Sequence, residues 1–348
     1  SNLNFLKNCL DKWVHFNFLM YRKICYNHLY KITHNKKGEF KMIYQGKKKE
    51  HGFKTYVVES LNDYITLISQ IYNDDEVFWY RGQSNVEYRL VPSGLREMYA
   101  IKDARGYEFE TPILDHPCSG SNNTVAFLPI EKMVNEFAAK AKDHVEYTVN
   151  NMVEWECIAQ HYGLPTRMLD WSTNALDALY FAVCDCKIGE SSTDYEHFLD
   201  SGFGECGGAV FVINPININK EIIPFKDGIE PFVLDVNENA KEIQEYLNNM
   251  LPPICINGIN KEKRICRQSG NFTTTGTLTW ALDYYQVIQD QMTKILIPYA
   301  YFEDIRRQLK SIGITHETIY VNEDLKDEIT KNIAVEAKQK YYKDLFGE

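Results

Sequence analysis

The stretch Glu154–Ala182, EWECIAQHYGLPTRMLDWSTNALDALYFA, constrains the fold of this 348-residue chain more than any other. Trp155, Ile158 and Ala159 recur at three and four residues, the spacing of one helix face. Gly163 and Pro165 then break the helix. A polar run follows, with Thr166, Arg167, Asp170, Trp171, Ser172 and Thr173 set among apolar residues. Asn174 is placed to cap a second helix that buries Leu176, Leu179, Tyr180 and Val183. The expected order is helix, turn, short polar strand, capped helix. Charges this close to core-type residues require partners, because a buried unpaired charge is strongly destabilising.

The rest of the chain narrows the class. Its length suits one large domain or two smaller ones. With 44% apolar and 25% charged residues, it has the composition of a globular protein rather than a disordered one. No run approaches the roughly 20 apolar residues of a membrane span. The early apolar residues are interrupted by Lys7, Asp11 and Lys12, unlike a secretory leader. Nine cysteines, an odd number scattered singly, argue against a disulfide framework and for a reducing, cytoplasmic setting. Cys184 and Cys186 form the closest pair, but no second pair or histidine stands at metal spacing, so no metal is expected. The net charge of −10 argues against general nucleic-acid affinity. Residues 1–50 depart from this, with eleven Lys or Arg against three Asp or Glu, which leaves −18 on the remainder. This basic extension is a candidate surface for nucleic acid or an acidic protein, or else a solvated helical face.

Periodicity predicts one or two helices over Leu3–Ile32, and strands at Phe40–Tyr44 and Lys54–Val58. A Ser60-capped helix to Tyr72 is expected to turn Leu61, Tyr64, Ile65, Leu67, Ile68 and Ile71 inward. Val77–Tyr80 reads as a strand ending in Arg81-Gly82-Gln83. An Arg followed by Gly at a strand end suits close approach of a ligand's backbone or phosphate, or a structural ion pair at a turn. Tyr88–Pro92 reads as extended, 103–128 as a long loop, and Ile130–Asn150 as a helix with Phe137 and Ala138 inward. Further on, Ala209–Ile213 and Lys294–Pro298 read as strands, and Lys220–Phe232 as irregular. Asn237–Met250 and Phe302–Ile312 read as helices, Gly276–Trp280 and His316–Tyr320 as strands, and the C-terminus as helical.

Three segments stand out together: Tyr80-Arg81-Gly82, the run from Gln160-His161-Tyr162-Gly163 through Pro165-Thr166-Arg167 to Leu169-Asp170-Trp171, and Gln268-Ser269-Gly270-Asn271-Phe272. Their order and wording resemble the FRG domain family, named for an aromatic-Arg-Gly motif. The resemblance spans about residues 55–335, with 1–50 as a basic, mainly helical extension and 336–348 as a helical tail. The layout is similar to the ADP-ribosyltransferase fold. That similarity implies an α+β protein with a central split, mostly antiparallel sheet flanked by helices, and an added N-terminal helical lobe.

By the same resemblance, Arg81 holds the phosphate or ribose of NAD, with Tyr80, Gly82 and Gln83 beside it. Thr166 and its strand, leading into the Asn174 helix, form the second motif, joined by Gln160, Arg167 and Trp171. Gln268 and Phe272 lie at the third, where a transferase has a glutamate. His161 is a candidate general base or ribose donor. Asp170 is either the carboxylate that stabilises a cationic ribose or the support that holds Arg167. His161, Asp170 and Gln268 are thus the candidate catalytic residues. No cofactor is required, NAD being a substrate. The implied activity is an ADP-ribosyltransferase or NAD glycohydrolase, such as a toxin or antiphage defence effector would carry. The alternative is a non-catalytic module that binds a nucleotide or nucleic acid.

Overall fold

The computed structural model describes residues 29–34, 40–45, 54–86, 88–96, 99–100, 125–126, 129–145, 147–184, 207–248, 252–258, 271–276, 281–320 and 325–346. In chain order, β1 (Leu29–His34) and β2 (Phe40–Gln45) form an antiparallel pair. They precede β3 (Lys54–Val57), α1 (Leu61–Ile71) and β4 (Trp79–Gln83). A short α2 (Ser93–Arg96) leads to β5 (Tyr99–Ala100), which pairs with β6 (Val125–Ala126). Then come α3 (Ile130–Ala141), α4 (Met152–His161), β7 (Met168–Trp171) and α5 (Ala175–Val183). β8 (Gly207–Ile213), α6 (Pro215–Ile222), β9 (Leu234–Asp235) and α7 (Ala240–Leu247) follow. The chain continues through β10 (Ile254–Asn257), β11 (Asn271–Thr274), α8 (Gln286–Gln289) and β12 (Met292–Pro298). It closes with α9 (Phe302–Ser311), α10 (His316–Ile319) and α11 (Leu325–Phe346).

These elements sort into two compact units. The first takes Ser1–Arg89, Trp171–Val233 and Asp283–Tyr320; the second takes Leu90–Asp170, Leu234–Leu282 and Val321–Glu348. The first unit is built on a sheet of order β3-β12-β8-β4. Its edge pair β12–β3 is parallel, and β12–β8 and β4–β8 are antiparallel. Every residue of β8, GGAVFVI, is buried, the signature of a strand covered on both faces. Tyr80, Val210, Val212, Ile295 and Ile297 share one face and pack under α1, α5 and α9. Each large apolar side chain enclosed there contributes about 1.5–3 kcal/mol.

The second unit has a sheet of order β7-β11-β10-β9, with β10–β11 antiparallel and the edge pair β10–β9 parallel. Helices α3 and α4 pack together, with Phe137 edge-on to Trp155 at 6.1 Å between ring centres. α11 lies along α3, where Lys340 meets Glu136 at 2.7 Å and Lys140 meets Glu336 at 3.4 Å. The architecture is therefore α+β, with helices and two four-stranded, mostly antiparallel sheets.

Several expectations change. Ser60 caps α1 as read, accepting from the Asp63 amide at 3.1 Å, but Ile65 is 44% exposed. β4 covers Trp79–Gln83, so Arg81 lies within the strand rather than closing it. α3 stops at Ala141, nine residues short of Asn150. α6 occupies the approach to the segment expected to be irregular, because Asn214 caps it and Pro215 starts it with a preset φ. The expected strand at His316–Tyr320 is α10, set by a reciprocal capping box of Thr315 and Thr318. Tyr88–Pro92 forms no strand; Leu90 instead accepts one backbone bond from Leu282 at 2.8 Å. Leu29–Ile32 belongs to β1 rather than to a helix. The proposed tail 336–348 is not separate, since α11 runs through Phe346. Residues 1–28, which hold most of the proposed helical lobe, lie outside the described residues, as do nearly all of 103–128 and all of 277–280.

Candidate functional site

In the first unit the aromatic-Arg-Gly segment is a strand, so its side chains alternate between faces. Tyr80 and Gly82 point to the helical side. Tyr80 is 5% exposed, and burial pushes its phenol pKa up. Gly82 is required by α5: a Cβ there would lie 1.9 Å from the Ala178 carbonyl oxygen and 2.8 Å from the Ala182 nitrogen. Gly208, on β8, has the same role, its Cβ falling 2.1 Å from the Ala182 oxygen. The space that Gly82 opens is filled by helix backbone, which corrects the reading that it admits a ligand.

Trp79, Arg81 and Gln83 take the opposite face of β4. Arg81, half-buried, stands in register with Phe211 on β8, and Phe211 with Lys294 on β12. Lys294 is buried; its ammonium donates to the Val86 carbonyl at 2.8 Å and sits 5.2 Å from the Phe211 ring centre. Gln83 is also buried, and its Oε1 accepts no hydrogen bond among the described residues. This face therefore carries a cationic, hydrogen-bonding row across an otherwise apolar sheet.

The second motif enters the same unit at its end. Tyr80 and Ser172 exchange backbone hydrogen bonds of 2.7 and 2.8 Å. Trp171 beside them is 2% exposed, a core side chain rather than a ligand platform. Asn174 caps α5, its Oδ1 accepting from the Leu176 amide at 3.0 Å and its Nδ2 donating to Asp177 at 2.9 Å. Burial raises the pKa of the Asp177 carboxyl, and the Asn174 bond offsets part of this.

In the second unit the Pro-Thr-Arg segment follows a helix stop of defined geometry. Gly163 has φ 82°, and the amides of Gly163 and Leu164 bond back to the carbonyls of Gln160 and Ala159 at 3.1 and 2.9 Å. This is a Schellman motif, which favours Gly at its left-handed position. Beyond it Thr166 is fully buried. Its hydroxyl donates to Gln160 Oε1 and accepts from the Met168 amide, its amide donates to Ser93 Oγ, and its carbonyl accepts from Gly94. A hydroxyl used in this way is spent inside the fold.

Arg167 is held by Glu156. Its backbone amide and Nε reach Oε1 at 3.0 and 3.3 Å, and Nη2 reaches Oε2 at 2.9 Å. Burial draws the guanidinium pKa down, but the adjoining carboxylate and its hydrogen bonds outweigh that and raise it. The support of Arg167 is thus Glu156, not Asp170. Asp170 is exposed and accepts from Gln160 Nε2 at 2.9 Å. His161, half-buried in the last turn of α4, lies edge-on to Tyr162 at 4.9 Å between ring centres. Gln160 and Asp170 therefore meet where α4 ends, and His161 is the next residue of that helix end, while Thr166 and Arg167 lock the turn that follows.

The third motif is less informative. Phe272 is 2% exposed, a core residue of β11 in register with Ile256. Gln268 lies outside the described residues. Sequence reasoning missed Glu156, whose signal was the need of a half-buried Arg167 for a carboxylate among the few acids nearby. Among the described residues, no group of three or more His, Cys, Asp or Glu could hold a metal ion. Nor is any helix among them long and apolar enough to cross a membrane.

The model of the FRG domain family matches residues 76–190, which include the first and second motifs. No curated protein and no solved structure matches the chain.

Proposed function

We propose that this chain, a member of the FRG domain family, binds NAD or a related nucleotide through Arg81 and uses it in ADP-ribosyltransferase-like or NAD-cleaving chemistry. The observation supporting this reading is the backbone pairing of Tyr80 with Ser172. It joins the strand bearing Arg81 to the segment that enters the Asn174-capped helix, the succession such a nucleotide site uses. A planar guanidinium on a sheet face is the natural bidentate partner of a pyrophosphate. Cleaving the nicotinamide–ribose bond builds positive charge on the sugar, which a carboxylate stabilises. An activity of this kind suits a toxin or an antiphage defence effector.

A second reading, a nucleotide-binding module without turnover, is favoured by the Thr166 hydroxyl and the Arg167 guanidinium being used within the fold. Calorimetry with NAD, paired with detection of free nicotinamide, separates the two. Nicotinamide release by the full chain, with NAD affinity reduced about tenfold in Arg81→Ala, is the expected result. Saturable binding without release would overturn the enzymatic reading and leave the module. Absence of both binding and release would reject NAD in either role, and unchanged affinity in Arg81→Ala would remove Arg81 from the site.

A further inference from the structure

A cavity of about 430 Å³ opens in the first unit, where β8 ends and β3 and β12 begin. None of the motif residues lines it. Its volume lies within the range of small-molecule sites, and its polar lining is chiefly carboxamide. Asn214 is the informative residue. It is 7% exposed, and its Oδ1 accepts from the Asn217 amide at 3.0 Å as the cap of α6. That bond fixes the orientation of the amide, so Nδ2 is its remaining polar end. Nδ2 has no partner among the described residues. This donor keeps access to solvent, and it belongs to a side chain lining the cavity.

The other groups define what would meet it. Gln70, Asn217 and Gln291 also line the cavity, and their carboxamides make no hydrogen bond among the described residues. Tyr56 and Phe78 line the cavity as well. Lys54 is outnumbered there by Glu76 and Asp290, which disfavours a phosphate or carboxylate ligand. A carboxamide presents a donor and an acceptor side by side, the complement of a nucleobase edge. Aromatic rings supply faces on which a base stacks.

We propose that this cavity is a second ligand site, which takes an uncharged nucleobase as a nucleoside, with Asn214 donating to the base edge. The proposal stands apart from the NAD reading, because the two share no residue.

Titration of the full chain with adenosine, guanosine, cytidine and uridine tests it by calorimetry. Asn214→Asp and Asn214→Ser both retain a competent helix cap while removing the amide donor, and thermal melts verify that α6 is intact. Saturable binding of at least one nucleoside is expected, weakened about tenfold in both variants and unchanged in Arg81→Ala. Gln291→Ala serves if either cap variant fails to fold, with a smaller loss expected. Three results would overturn the proposal: no nucleoside binding the parent, a free monosaccharide competing as well as the nucleoside, or variants that bind like the parent.

Discussion

The two units secure their shares of the motif by different physics. In the first, the aromatic-Arg-Gly strand is held by shape: Gly82 and Gly208 let the α5 backbone touch the sheet, and the surrounding contacts are apolar. In the second, the Pro-Thr-Arg turn is held by charge and hydrogen bonds: Glu156 grips Arg167, and Gln160, Ser93 and Gly94 satisfy Thr166. A packed contact tolerates exchange among apolar residues of similar volume but not an added atom. A buried polar network tolerates neither partner's loss, because the other is left unmet. The first arrangement leaves Arg81 to be positioned by a rigid sheet. The second leaves Gln160, His161 and Asp170 at the ends of elements joined by a turn that one ion pair and the Thr166 hydrogen bonds hold.

That contrast sets the order of expected effects. Glu156→Ala should be the most damaging, costing about 3–5 kcal/mol by leaving the half-buried Arg167 unpaired. Urea denaturation reads the loss directly. Replacing both partners together, Glu156→Leu with Arg167→Met, should recover most of the stability. Failure of the double variant to recover would mean that the polar lock does more than balance charge. Gly82→Ala comes next, at about 1–3 kcal/mol, since the obstruction at 1.9 Å is helix backbone and cannot rotate away. A melt indistinguishable from the parent's would break the claim that shape holds the first unit.

Asp177→Asn should have the smallest effect and the opposite sign. Burial raises the folded pKa of Asp177 above its ordinary 3.8, so ionising it works against the fold. Its contribution is favourable below the ordinary value and is lost as pH rises through the folded one. The amide variant should therefore be more stable than the parent at neutral pH, with the gap closing as pH falls below 3.8. Denaturation at both pH values sharpens the comparison by exposing a strained charge within the packed unit.

Local signals were the legible part of this chain. Ser60 and Asn174 announce helix starts because a cap is a contact across two or three residues. Gly163 announces a stop because its left-handed φ disfavours side chains. Asn214-Pro215 and Thr315 carried the same kind of signal for α6 and α10, masked by the apolar β-formers around them. The partner of Arg167 was not legible. Asp170 is near in sequence, but in an extended segment residues three apart point to opposite sides. Glu156 is eleven positions away and is brought back only by the turn at Gly163. Gly82 was read as room for a ligand because nothing in the sequence reveals that α5 occupies that room. Whether a glycine faces solvent or a helix is decided by tertiary packing.

The path of the chain bears on how such a protein is handled. Each unit is assembled from three separated segments. The stretch that matches the family, 76–190, contains β4 from one four-stranded sheet and β7 from the other. The partner of β4, β8, begins at Gly207, and the neighbour of β7, β11, at Asn271. What is recognisable by wording is thus a braid of two half-finished cores, not a cassette. It cannot be excised, grafted or truncated at its own limits without leaving two strands with open edges.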